Sequence, residues 1–226
     1  MPPINETTLT FTTTAMPRPE ILSRTYDSFT RNLLGLDFKK ITLFLNIDRL
    51  PGGDDEDRRR EVLEVARHYF GTVIVNTPKT SSFSAAVNWC FSQLNTPFNF
   101  HLEDDWELLV PIKISMIETL FQAEHIQQVA LRSRENVRQD FWLCPALARS
   151  EFCRKMARQM NLTENPEVEI RRLKNEDCAY DKSHFVYFPF DFKAMIVQDL
   201  GRPWMRSSAF NRGSTHFTSW SIRSPG

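Results

Sequence analysis

Five threonines with Leu9 and Phe11 fill positions 8–14 (Thr-Leu-Thr-Phe-Thr-Thr-Thr), a β-branched run that predicts a first strand. The turn Ala15-Met16-Pro17-Arg18-Pro19 ends it, and its second proline suits the first position of a helix. Leu22, Tyr26, Phe29 and Leu33 then recur at spacings of four, three and four, the apolar stripe of an amphipathic helix that Gly35 stops. Positions 41–47 are nearly all apolar, as a central parallel strand covered on both faces should be, and they deliver Asp48 at their end. A solvated loop over 51–57 precedes a helix over 58–70, with Val62, Leu63, Val65, Ala66 and Tyr69 on one side. Gly71 ends that helix, and 72–75 makes a short third strand. A polar loop over 76–82 leads to a helix over 83–94. The aromatic run Phe98-Asn99-Phe100-His101-Leu102 then reads as a buried strand that ends in Glu103-Asp104-Asp105.

Strand and helix alternate three times with short connections, which predicts an α/β fold: a mostly parallel central sheet with helices on both faces. After Pro111 the pattern is less regular. Helices are expected over 113–122 and 149–160 and strands over 128–131 and 141–143, with room for one strand to run antiparallel. Asn165 is a helix cap and Pro166 a first helical residue. The tail from Arg202, rich in Arg, Ser and aromatics without a period, reads as a lid or a frayed end.

Composition narrows the function classes. Lys+Arg and Asp+Glu both number 28 in 226 residues, so no bulk basic field advertises nucleic acid, and one domain is the expected organisation. Seven glycines and no Walker-type run speak against a phosphoryl enzyme built on a glycine-rich loop. Cys90, Cys144, Cys153 and Cys178 match neither a zinc pattern nor a disulfide framework and read as reduced core thiols. No apolar run approaches the roughly 20 residues of a membrane span, and the first residues lack the parts of a signal peptide, so a cytoplasmic location is expected.

Three consecutive carboxylates at the end of a buried strand repel one another and call for positive charge. A divalent cation relieves that repulsion, and hard carboxylate oxygens suit Mg²⁺ or Mn²⁺. Strand ends of an open α/β sheet form the ligand crevice, which here gathers Thr13, Thr14, Asp48, Lys79 and Glu103 to Asp105. Asp48 suits a base or sugar edge, or simply a turn. Lys79 and Arg18 can meet phosphate oxygens.

Four pieces carry a family resemblance: the threonines before the first turn, Asn46-Ile47-Asp48, Ser84-Ala85-Ala86-Val87-Asn88, and Glu103-Asp104-Asp105. Together they resemble the sugar-nucleotide-binding half of a GT-A (Rossmann-like) glycosyltransferase, a three-layer sandwich, and most of all the family-2-like inverting enzymes. Ala15-Met16-Pro17-Arg18 departs from the usual Tyr-Asn pair of the first loop. The resemblance implies residues 1–110 as the nucleotide-sugar-binding half and 111–226 as the acceptor half with a C-terminal lid. It implies a UDP- or GDP-sugar donor, a glycan or glycoconjugate acceptor, and Mn²⁺ or Mg²⁺.

By the same resemblance Asp105 is the surest metal ligand. Glu103 and Asp104 face the ribose and the metal's waters, Ser84 and Asn88 belong to the donor site, and His216 supplies a late metal or diphosphate contact. Inverting transfer needs one general base, and Pro166-Glu167-Val168-Glu169 laid on the family's base segment puts Glu167 in that role. Glu169, Glu176 and Asp177 are its rivals. Arg202, Trp204, Arg206 and Arg212 are the candidate lid over the diphosphate. A nucleotidyltransferase-like phosphoryl enzyme and a catalytically silent nucleotide- or sugar-binding module are the alternative readings, and a hydrolase arises if water enters the acceptor site.

Overall fold

The computed structural model describes residues 1–50, 56–131, 145–161, 185–188 and 197–199. Strands β1 (Leu9–Ala15), β3 (Thr42–Ile47), β4 (Thr72–Asn76) and β5 (Phe98–His101) alternate with helices α1 (Pro19–Asn32), α2 (Glu56–Tyr69) and α3 (Phe83–Ser92). This is the alternation that the apolar periodicities predict. A two-residue β2 (Leu33–Leu34) follows α1, and Gly35 turns the chain there at φ 96°, a left-handed conformation that glycine adopts without a Cβ penalty.

The second half supplies β6 (Trp106–Leu108), β7 (Ile112–Lys113), α4 (Ile114–Leu120), β8 (Gln128–Leu131), β9 (Ala146–Arg149), α5 (Ser150–Asn161), β10 (Phe185–Phe188) and β11 (Val197–Asp199). The seven-stranded sheet runs β10-β8-β9-β5-β1-β3-β4. Its β5-β1-β3-β4 part is parallel, and β9 runs antiparallel to both β5 and β8. β9 is not foreseen by the sequence pattern, which places a strand at 141–143, outside the described residues. Ala-Leu-Ala-Arg has no strand propensity of its own, and its conformation comes from its place between β5 and β8.

β1 and β5 divide their side chains between two unlike layers. Phe11 and Phe100 stack at 4.9 Å and join Phe29, Phe38 and Phe70 under α1 and α2. On the other face, α3 and α5 close a second core of Val87, Cys90, Phe91, Phe152, Cys153 and Met156. That face carries a buried polar row: the Thr12 hydroxyl donates to Asn99 Oδ1 at 3.0 Å and pairs with His101 Nδ1 at 3.0 Å. Cys90 and Cys153 are buried free thiols, as expected; Cys144 and Cys178 lie outside the described residues. Among the described residues no helix is long and apolar enough to cross a membrane.

Candidate functional site

β1 holds its two neighbours level at their carboxyl ends. The Asp48 N–H donates to Ala15 O at 2.8 Å, which extends the β1–β3 ladder by one step. On the other side Leu102 N–H donates to Thr12 O at 2.9 Å and Asp104 N–H to Thr14 O at 3.2 Å. Asp48 and the acidic trio therefore flank the end of β1 and the loop that leaves it, in the crevice where open α/β sheets bind ligands.

All three acids are buried, Glu103 and Asp104 at 3% exposure and Asp105 at 0%. Part of the positive charge they require comes from the chain itself. Arg18 grips Asp104 with two nitrogens, Nη2 2.7 Å from Oδ1 and Nε 3.3 Å from Oδ2, and the same Nη2 lies 3.4 Å from Asp105 Oδ2. The Met16 N–H adds a third donor to Asp104, 2.9 Å from Oδ2, and Thr25 Oγ1 donates to the Asp104 carbonyl at 2.7 Å. Burial pushes the Asp104 carboxyl above the usual range, while Arg18 and the Met16 amide pull it back. Both carboxylate oxygens of Asp104 thus accept from the first loop.

Asp48 is held by its own strand: Asn46 Nδ2 donates to Asp48 Oδ1 at 2.9 Å, and Asn76 on β4 donates to Asn46 Oδ1 at 2.6 Å. Desolvation raises the Asp48 carboxyl, and the Asn46 bond opposes it. Thr14 lends its carbonyl to Asp104, whereas Thr13 is fully buried on the face of Phe11 and Ala15. Ser84 is buried and Asn88 half-buried one turn apart on α3, the helix that meets β1 and β3. Lys79 is exposed in the loop after β4.

Glu167, Glu169, Glu176, Asp177, Arg202, Trp204, Arg206, Arg212 and His216 lie outside the described residues. His101 is structural, as its place within the strand suggests. Thr12 donates to Asn99, so the imidazole must donate from Nδ1 to Thr12, and burial lowers its pKa to about 4. The roles of Met16, Thr25 and Asn76 in tying the strand ends together are missed by sequence reasoning, because main-chain donors and hydroxyl caps leave no spacing signal.

As to a metal, the donor chemistry fits: Glu103 and Asp105 offer hard carboxylate oxygens at the crevice, while both oxygens of Asp104 already accept from the first loop. Among the described residues no three His, Cys, Asp or Glu side chains gather as a set able to hold an ion.

No protein-family model and no curated protein sequence matches the chain. Solved structures do. Glucosyl-3-phosphoglycerate synthase from Mycobacterium tuberculosis, solved with Mn²⁺, uridine diphosphate and glucosyl-3-phosphoglycerate, superimposes with TM-score 0.53 at 13% identity over 88% of this chain and 74% of that one. A cytidylyltransferase from Leptospira borgpetersenii gives TM-score 0.50 at 10% identity over 85% and 81%. A Pyrobaculum calidifontis mannosyltransferase, solved with GDP-mannose and Mn²⁺, gives TM-score 0.46 at 10% identity over 66% of this chain, which spans 46% of that chain's length. At these identities the likeness is one of fold, and the chain has a GT-A-like, Rossmann-type α/β fold.

Proposed function

We propose that the protein is a metal-dependent, inverting glycosyltransferase that moves a sugar from a UDP- or GDP-sugar to a hydroxyl of a glycan or glycoconjugate. The observation that carries this reading is the buried trio at the end of β5, tied through Asp104 to the loop after β1 and level with Asp48. In a GT-A-like fold that is the ligand crevice. Asp105 and Glu103 would hold a divalent cation, with His216 as a third ligand from the second half, and the ion would supply positive charge against the diphosphate leaving group. Asp48 and the first loop take the nucleoside. Glu167 takes the proton of the acceptor hydroxyl as that oxygen attacks the anomeric carbon from the face opposite the diphosphate. The lid residues Arg202, Trp204 and Arg212 exclude water from the site.

Thermal unfolding with a panel of nucleoside diphosphates, with and without Mn²⁺, tests the reading, because ligands that bind only the native state raise its stability. Stabilisation is expected when nucleotide and Mn²⁺ are both present. Equal stabilisation without the ion, or none at all, would sink it.

One alternative has its own support, since the cytidylyltransferase shares the fold at a comparable TM-score. Nucleotidyl transfer consumes a nucleoside triphosphate and releases pyrophosphate. Release of pyrophosphate from CTP in the presence of sugar substrates would favour it, and transfer from a diphosphate sugar would exclude it.

A further inference from the structure

The first loop is attached to the acidic trio more tightly than a turn between a strand and a helix needs to be. Asp104 accepts from Met16 N–H, from Arg18 Nε and from Arg18 Nη2, and its main chain is held by Thr14 and Thr25. A guanidinium is planar and rigid, so two nitrogens fixed by one carboxylate also fix the direction of the third. That third nitrogen, Nη1, is buried and, among the described residues, has no hydrogen-bond acceptor. A buried cationic donor left without an acceptor is unfavourable, and the deficit disappears when an acceptor arrives. Arg18 directly precedes the 14-residue α1, whose amino end favours negative charge; Glu20 is the acid of its first turn, and Arg18 itself makes no side-chain cap bond there. Both features select an anionic oxygen over a neutral carbonyl.

We propose that Asp104 is a positioning residue whose carboxylate aims Arg18 so that Nη1 donates to a phosphate oxygen of the nucleoside diphosphate, an inference that rests on the nucleotide-sugar reading above. It gives the two neighbouring acids different work. Asp104 acts through Arg18 on the donor's phosphates, while Asp105 stays with the cation. Arg18 is then a binding residue whose aim depends on Asp104.

Calorimetric titration of the full chain in Mn²⁺, with UDP and GDP and separately with uridine and guanosine, tests this. Arg18→Lys keeps the charge and loses the fork. It is expected to weaken the diphosphates about tenfold or more, the loss of one charged hydrogen bond, and to leave nucleoside affinity unchanged. Asp104→Asn is expected to show the same selective loss, and the two substitutions together no further loss, because they remove one interaction. In the wild-type protein, the Arg18 guanidinium NMR signals should move on addition of the diphosphate and stay in place on addition of the nucleoside, a readout that does not depend on either variant folding. Equal losses for both probes would reduce Arg18 to a loop anchor, and unchanged diphosphate affinity would leave Nη1 to an ordered water; either result overturns the inference alone. Absence of any diphosphate binding by the wild-type protein would overturn the glycosyltransferase reading as well.

Discussion

Arg18 and Asp104, 86 positions apart, form a buried two-nitrogen ion pair across the mouth of β1, with side chains 12% and 5% exposed. Exposed pairs contribute about 0–1 kcal/mol, but removing one member of a buried pair strands the other and costs about 3–5 kcal/mol. Asp104→Ala is therefore expected to lower unfolding stability by about 3 kcal/mol or more in urea titrations. The double substitution Arg18→Met with Asp104→Leu should recover part of that loss, since no guanidinium is stranded, although the buried Asp105 loses its contact with Arg18. A cost below about 1 kcal/mol for Asp104→Ala would mean that the pair behaves as a surface one.

His101 gives the fold a pH dependence of known sign. Its pKa is lowered to about 4 in the native protein by burial, against an ordinary value of 6.5. The unfolded chain thus binds a proton between those values that the folded chain refuses. Stability from this group is full above pH 6.5 and falls as pH drops toward 4, by about 3 kcal/mol in all. Urea midpoints measured from pH 7 to pH 4 should fall more steeply for the wild-type protein than for His101→Gln. Parallel curves would show that His101 is not buried neutral.

Gly71 is required by a close approach. A Cβ built there lies 2.1 Å from the Lys39 carbonyl oxygen, a main-chain atom that cannot swing aside. Gly71→Ala is expected to destabilise by about 1–3 kcal/mol, as overpacking does, by forcing the start of β4 away from the residues before β3. A circular-dichroism melt compared with that of an Ala substitution at an exposed site such as Thr77 isolates the effect.

The first half of the fold is legible in the sequence because each element there satisfies its own period. Leu22, Tyr26 and Phe29 become the buried face of α1, with Leu33 buried just past its end in β2, and the run before Asp48 becomes β3, buried on both sides. β9, β2 and β7 are not legible. Two residues carry no period and Ala-Leu-Ala-Arg lacks β-branched and aromatic side chains, so their strand character is imposed by the partner they meet. At the site, the need of the trio for positive charge is readable from three adjacent carboxylates, and Arg18 stands out as the cation of the first loop. Which acid it meets is not readable. That depends on β1 and β5 being neighbours in register, Thr12 beside His101, which is a property of the sheet and not of either segment.

Binding and transfer should come apart in two variants if the acids divide their roles as proposed. Asp105 is fully buried beside Arg18 Nη2, between β5 and β6. Asp105→Ala is expected to abolish the Mn²⁺-dependent part of nucleoside diphosphate binding, and transfer with it, because the leaving group then develops its charge unneutralised. Glu167 lies in the second half of the chain and touches only the acceptor hydroxyl in the proposed chemistry. Glu167→Ala should leave donor affinity intact while kcat drops by about 10²–10⁴, the usual contribution of a general base. Donor affinity read by calorimetry and turnover read by nucleoside diphosphate release distinguish the two losses. Full turnover in Glu167→Ala would move the base to Glu169, Glu176 or Asp177, and Mn²⁺-dependent binding that survives in Asp105→Ala would remove the cation from the trio.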